Sequence, residues 1–279
     1  MAATLYIVAT PIGNLEDISL RALRILKEVA VIAAEDTRHS RKLLSHYGIA
    51  TSLVAYHEHN EEARGAQLLN RLEAGQSVAL ISDAGTPAIS DPGFHLVRRC
   101  RAAGVSVVAV PGPSALTAAL SVAGLPCHRF AFEGFVPPRK KAREDLFTAL
   151  RDEARTLVFY EAPHRLRASL EAVVGIFGTH RQVAVARELT KKHEELFSGS
   201  ATEVSAHFAQ GEVRGEIVLL IAPAEKGAAP REDVPTALER LGAEQDLPPA
   251  ELVRRVAKAT GEPRSQVYQE YLRWKEKRL

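Results

Sequence analysis

The sequence predicts an α/β protein made of two α/β lobes followed by a small helical appendage. Short β-branched runs alternate with longer stretches of helical period through the first two-thirds of the chain, the pattern of strands and helices packed in layers. From residue 130 strands become more frequent and helices fewer, so a second lobe with a mixed sheet is expected. With 279 residues the chain is also near the upper limit for one hydrophobic core, which favours two lobes over one.

The first strand is expected over 5–9. A helix over 17–29 follows, with Leu20, Leu23, Ile25 and Leu26 on one side and Asp17 or Ser19 as cap. Strands over 30–34, 77–81 and 105–110 each run into a turn signal and a helical segment, and their near-continuous apolar character suits a sheet covered on both faces. A helix over 114–122 closes this lobe, giving a first domain of 1–126. The second, 127–222, is read as strands over 130–133, 156–161, 182–188, 194–198 and 216–221, with helices over 139–153, 163–177 and 201–209 between them. Residues 223–233, rich in Ala, Pro, Gly and charge and without periodicity, read as a linker. The remainder, 234–279, holds three short helical patterns broken at Leu247-Pro248-Pro249 and Gly261-Glu262-Pro263.

Composition excludes several classes. Hydrophobic residues make up 46% and charged residues 25%, the balance of an ordinary globular protein rather than a disordered or collagenous chain. The longest apolar runs, 29–34 and 217–222, are far short of the roughly 20 residues that a membrane helix needs. The amino terminus has no basic segment ahead of its apolar stretch, so a signal peptide is not expected. Cys100 and Cys127 lie outside any metal-ligand spacing, no metal is expected, and a reducing cytoplasmic compartment is the default. A net charge of +2 neither requires nor excludes a nucleic-acid partner.

Three loops carry the functional signal. The first strand runs into Thr10-Pro11-Ile12-Gly13-Asn14, where glycine lets a ligand approach the backbone and the next helix offers unpaired N–H groups. This string is neither GxGxxG nor GxxxxGK[ST], so both common nucleotide fingerprints are absent. A second loop, from Ser82 to Gly93, packs small residues, prolines and two aspartates into one connection. A third, Val110-Pro111-Gly112-Pro113-Ser114-Ala115, again joins a strand to a helix. Three such loops after strands of one sheet point to one edge, where open α/β sheets bind ligands.

The strings TPIGNLEDIS, AEDTR, SDAGTPAISDPG, VPGPSA, FEGFVPP, FYEAPHR and ARELTKKHEE, in order from residue 5 to 221, resemble the tetrapyrrole-methylase-like superfamily of S-adenosylmethionine-dependent methyltransferases. Most closely they resemble its bacterial branch that methylates the ribose 2′-hydroxyl of a cytidine in the decoding region of small-subunit (16S) ribosomal RNA. The resemblance implies two α/β lobes with the donor, S-adenosylmethionine, in the cleft between them, and a homodimer. Carried over by motif, the donor site comprises Ile12 and Gly13 after the first strand, Ala84, Gly85, Thr86 and Ile89 in the second loop, Ser114 and Ala115 in the third, then Glu161 and Leu189. Many tetrapyrrole-modifying relatives have Gly-Asp-Pro where this chain has Gly85-Thr86-Pro87, so a role needing a carboxylate at Thr86 does not transfer.

Methyl transfer to oxygen is an in-line displacement that requires positioning and no metal. A ribose hydroxyl is a weak nucleophile, so a base or a desolvating, hydrogen-bonding pocket is expected. The candidates are Glu35, Asp36 and Arg38 at the end of the second strand, with Asp36 preferred, and His57 in YHEHNEE. The same residues would also serve as a helix cap, a first-turn ion pair and a solvated loop histidine. Arg139, Lys140, Lys141 and Arg143 form a basic cluster suited to RNA phosphates, and Arg38, Arg41 and Lys42 form another. From Arg254 onward eight basic residues face three acidic ones, with Tyr268, Tyr271 and Trp274 interleaved. That tail reads either as the apolar stripe of a last helix or as a further RNA contact. The rival functions are methylation of a corrin or porphyrin intermediate and a non-catalytic RNA-binding assembly factor.

Overall fold

The computed structural model describes residues 3–224, 234–244, 248–260, 262 and 264–276. By its internal contacts the chain divides into two compact units, Met1–Pro223 and Ala224–Leu279.

The first unit begins with β1 (Thr4–Val8), α1 (Leu20–Glu28), β2 (Val31–Ala34), α2 (Thr37–His46), β3 (Leu53–Ala55), α3 (Glu61–Glu73), β4 (Val78–Ile81), α4 (Phe94–Ala102), β5 (Ser106–Val110) and α5 (Ala115–Val122). All five strands are parallel, in the order β3-β2-β4-β1-β5. Alternation divides the side chains between two cores. Val8, Ile32, Ala34, Ala79 and Ile81 pack under α1 and α2, whereas Leu5, Val31, Ala33, Val78 and Leu80 pack under α3 and α4. Burial on both faces explains the near-continuous apolar strands.

The start of α1 differs from expectation. Residues 15–17 form a separate 3-10 turn capped by Asn14, and the Ser19 hydroxyl caps α1 by accepting from the Ala22 N–H at 3.1 Å. Ala22, Ile25 and Leu26 are the buried face, while Leu20 is 85% exposed. At about 100° per residue, Leu20 lies roughly 200° around the helix from Ala22.

The second lobe contains β6 (Phe130–Phe135), α6 (Lys140–Ala149), β7 (Thr156–Glu161), α7 (Leu166–Phe177), β8 (Gln182–Arg187), β9 (Glu195–Ser200), α8 (Ala201–Phe208) and β10 (Ile217–Ile221). Its sheet is mixed, in the order β6-β7-β10-β8-β9, with only β6 and β7 parallel. Leu157, Phe159, Val183, Val185, Leu219 and Ile221 pack against α6, α7 and α8 around Phe147. The alternate residues Val158, Ala184, Ala186, Val218 and Leu220 meet Ala119 and Leu120 of α5 and Ala123 at its C-terminal cap, together with Ile12. All three helices of this lobe therefore lie on one face, and the other face receives a helix from the first lobe.

The second unit contains α9 (Val234–Glu244), α10 (Pro249–Thr260) and α11 (Arg264–Glu276), closed over Leu238, Val253, Val256, Val267 and Tyr271. Tyr271 is buried and Trp274 packs on this core, whereas Tyr268 is half exposed. Two members of the aromatic series are thus the apolar stripe. The expected linker, 223–233, lies outside the described residues after its first two positions, as do Leu247, Gly261 and Pro263 of the expected breaks. Among the described residues no helix is long and apolar enough to cross a membrane.

Candidate functional site

The three loops at the carboxyl edge of the first sheet are tied together. Thr10 and Gly85 form an isolated antiparallel bridge, Thr10 N–H to Gly85 C=O at 2.8 Å and the reverse at 3.0 Å. The Thr10 hydroxyl donates to the Ser82 carbonyl at 3.1 Å, and the Thr86 hydroxyl donates to the Pro113 carbonyl at 3.2 Å. Gly85 takes φ +81°, a conformation that residues with a Cβ rarely adopt. Thr86 therefore works as a strut between loops, donating a hydrogen bond to a carbonyl that the ionised carboxylate of the relatives' Gly-Asp-Pro could not make.

Between these loops and the uncovered face of the second sheet lies a cavity of about 390 Å³, within the range of small-molecule sites. Ile12, Ala84, Gly85, Thr86, Ile89, Ser114, Ala115, Glu161 and Leu189 all line it. Gly13 does not. A Cβ there would press on the side chains of Thr190 and Lys191, so its smallness serves loop packing. The Glu161 side chain is fully buried and engaged: its carboxylate accepts from the Ala162 N–H at 2.7 Å and from the Ser169 hydroxyl, and it pairs with Arg165 at 3.1 Å.

The proton-acceptor candidates separate. Glu35 lines the cavity, and burial, reinforced by the negative charges of Asp91 and Asp83, raises its pKa. Asp36 is not among the lining residues. It caps α2, its Oδ1 accepting from the N–H groups of Arg38 at 2.7 Å and His39 at 3.4 Å. The Arg38 backbone bond is the main reason its pKa is lowered. Arg38 projects into solvent, 3.6 Å from Asp36. His57 also lies off the cavity lining, its Nε2 3.1 Å from Asn60 Nδ2 and its Nδ1 buried without a hydrogen bond.

In the basic cluster Arg139, Lys140 and Lys141 are exposed, but Arg143 is buried one turn before Phe147, with no hydrogen bond at its Nε. The cavity itself has the opposite charge. Glu35, Asp83, Asp91, Glu161 and Glu216 line it, the last paired with Lys191 at 3.1 Å, and among the described residues the lining contains no Lys, Arg or His. Burial raises the pKa of Asp91 as well.

Sequence reasoning did not reach Asp83, Asp91, Phe135, Tyr160, Ala186 or the stretch from Gly215 to Val218, all of which line the cavity. The aspartates, Phe135 and Tyr160 stood in strings already singled out; Phe135, Tyr160, Ala186, Ile217 and Val218 lie on strands, where only the lobes' docking tells an interior side chain from a cavity wall, and Gly215 and Glu216 lead into β10. Backbone strain marks the rim: Ala88, Glu188 and Thr190 have φ of +66°, +53° and +65°, and the last two flank Leu189. Among the described residues no group of His, Cys, Asp and Glu could hold a metal ion.

A doubly covered parallel sheet whose loops close a small acidic cavity against a second, mixed sheet defines a two-lobed α/β protein with a cavity at the lobe junction suited to a small, cationic or neutral ligand. The profile of the tetrapyrrole (corrin/porphyrin) methylases matches residues 4–205, and the chain belongs to that family. Its members take their methyl group from S-adenosylmethionine. The chain is 49% identical to "Ribosomal RNA small subunit methyltransferase I" of Pseudomonas aeruginosa, over 97% of both chains. It is 45% identical to the Synechocystis protein of that name, over 95% of this chain and 96% of the other. Among solved structures it is similar to a diphthine synthase (TM-score 0.62, 15% identity, 79% of this chain and 90% of that one). It is also similar to the uroporphyrin-III-C-methyltransferase of Thermus thermophilus (TM-score 0.57, 23% identity, 79% and 94%). At these identities the two structures speak for the fold alone.

Proposed function

We propose that this protein methylates the ribose 2′-hydroxyl of a cytidine in the decoding region of 16S ribosomal RNA. The carrying observation is the near-full-length likeness to proteins named for small-subunit ribosomal RNA methylation. The site agrees with it. S-adenosylmethionine, a sulfonium with an ammonium group, suits a cavity walled by carboxylates and small residues, and when bound it supplies an electrophilic methyl group. Ile12, Ala84, Gly85, Thr86, Ile89, Ser114, Ala115 and Leu189 are the residues that would hold it, chiefly through backbone groups and apolar contact. Glu161 would contribute wall rather than charge, because its carboxylate is already engaged.

Glu35 is the proposed general base, replacing Asp36 in that role. It faces the cavity, and its raised pKa makes the ionised carboxylate a stronger proton acceptor. One of its oxygens takes the proton of the ribose hydroxyl while the site holds that hydroxyl for displacement. Arg139, Lys140 and Lys141 begin four residues beyond Phe135, within about 14 Å of chain. They hold phosphates outside the acidic interior. The small-subunit context and the homodimer implied by the resemblance belong to this same reading.

The acidic lining disfavours the tetrapyrrole alternative, because such intermediates carry several carboxylates of their own. Mass-spectrometric mapping of ribosomal RNA nucleosides from cells with and without the protein tests the assignment. Loss of one 2′-O-methylcytidine on deletion, restored by the parental gene, is expected. An unchanged inventory would overturn it, as would purified protein that methylates a tetrapyrrole but not small-subunit RNA.

A further inference from the structure

The strand β6 carries an irregularity that changes the direction of one side chain. Its partners on β7 run Phe130 to Thr156, Ala131 to Leu157 and Phe132 to Val158, and then Phe135 to Tyr160. Three steps on β6 therefore match two on β7, and Gly134, at φ +72°, takes up the extra residue. In an uninterrupted strand Phe130 and Phe132 would share one face, and Phe135 would point to the other, toward α6 and α7. The bulge moves Phe135 onto the face of Phe132, Val158 and Tyr160, as bulges near active sites re-aim side chains.

The consequence is an aromatic ring in the cavity wall that remains 57% exposed. Among the described residues its one ring contact is an edge, with centroids 5.5 Å from Tyr160 and planes at 67°, and Tyr160 is backed in turn by Phe132 at 4.9 Å. From the first lobe Ile89, itself half exposed, lines the same cavity. An aromatic left bare but braced from the side is poor core packing and a good platform for a flat ligand.

The charge of the cavity restricts what that ligand can be. Glu161 and Glu216 are paired with Arg165 and Lys191, but Glu35, Asp83 and Asp91 face the cavity with no basic side chain among the described residues of the lining, so a phosphate would find no cationic partner there. An RNA substrate can insert only a sugar and its base. We infer that Phe135 is the stacking platform for the base of the methylated nucleotide, a pyrimidine on the proposed function, on which this inference rests. Stacking is the interaction that recognises an uncharged planar group without cationic help, and enzymes acting on an extruded nucleotide commonly hold its base between aromatic or apolar side chains.

The test is a cycle on RNA affinity with the full-length protein. The parental chain and Phe135→Ala are each titrated with a small-subunit RNA fragment containing the mapped cytidine, and with the same fragment lacking only the base of that nucleotide. Phe135→Ala should weaken binding of the intact fragment by about 5- to 150-fold, the range of one base–aromatic stack. It should leave binding of the abasic fragment unchanged, and donor affinity by calorimetry should stay at the parental value. Phe135→Trp should restore binding, and pyrrolocytidine at the target position should be quenched on binding the parental chain but not Phe135→Ala. Equal losses on both fragments would overturn the inference, as would a fall in donor affinity. Failure of the parental chain to methylate the mapped cytidine in small ribosomal subunits from cells lacking the protein would instead overturn the ribosomal RNA reading, and the inference with it.

Discussion

Replacing Glu35 by Gln preserves the size and polarity of the side chain but removes its basicity. Loss of a general base costs about 10²- to 10⁴-fold, or about 2.7 to 5.4 kcal/mol of transition-state stabilisation. Single-turnover methylation with saturating RNA and donor measures this directly. Because burial and the charges of Asp91 and Asp83 raise the pKa of Glu35 above its ordinary 4.5, the parental rate should climb with pH through a limb lying above 4.5. The Gln variant should lack that limb. Stability has the opposite sign. A carboxyl with a raised folded pKa binds its proton more tightly in the native state, so folding stability falls as pH rises from 4.5 through the folded pKa. Glu35→Gln removes that loss and should be at least as stable as the parent at neutral pH. Asp36 provides the contrast. Asp36→Asn keeps an effective helix cap and should preserve both rate and stability, whereas Asp36→Ala should lower the urea midpoint while retaining the rate. Parental turnover by Glu35→Gln, or a lost rate in a folded Asp36→Asn, would refute the assignment of the base.

Gly85→Leu should abolish donor binding by calorimetry, since its side chain enters the cavity; at φ +81° it should also cost about 1 to 2 kcal/mol of stability, readable by urea denaturation. Replacing Arg139, Lys140 and Lys141 together by Ala should flatten the salt dependence of RNA binding by about 2 to 3 units of log–log slope if each meets a phosphate, with donor affinity unchanged; an unaltered slope would assign them to a solvated face. A chain ending at Pro223, the boundary of the first compact unit, should still bind S-adenosylmethionine, because every proposed donor contact precedes it; calorimetry on that folded fragment checks this.

What could be read from the sequence follows from which signals are local. Burial on both faces wrote the strands of the first sheet as apolar runs, and the three loops betrayed themselves by their small residues, prolines and glycines. Leu53–Ala55 could not be bounded in that way: it is a three-residue strand, paired only with β2 and half buried. The preference between Glu35 and Asp36 depended on which side of a strand end each faces, and the Asp36 cap bonds decided that. Arg143 looked like one more basic residue of an exposed run, but the phase of α6 places it inward, beside Phe147. Phe135 was hidden for a related reason. The expected strand ends at residue 133, and alternation carried on to 135 would assign Phe135 to the helix-covered face, which the extra residue at Gly134 reverses.

The cavity exists because the second sheet is covered by its own helices on one side only. Its other face carries Val158, Ala184, Ala186, Val218 and Leu220, and α5 with its C-terminal cap covers part of that face through Ala119, Leu120 and Ala123. Small residues on both partners allow the helix to dock closely, and the uncovered remainder, around Tyr160, Ala186 and Val218, becomes the wall opposite the loops. Charge is then sorted by depth. Carboxylates occupy the interior, where a cationic donor gains and a phosphate loses, while Arg139, Lys140 and Lys141 remain in solvent. On the proposed function, that sorting would give a polyanionic substrate a single way to reach the donor: its backbone outside and one nucleoside within. Burial, with the charges of Asp91 and Asp83, raises the pKa of Glu35, so on the proposed function two of the carboxylates that disfavour phosphate would also strengthen the base that meets the entering sugar.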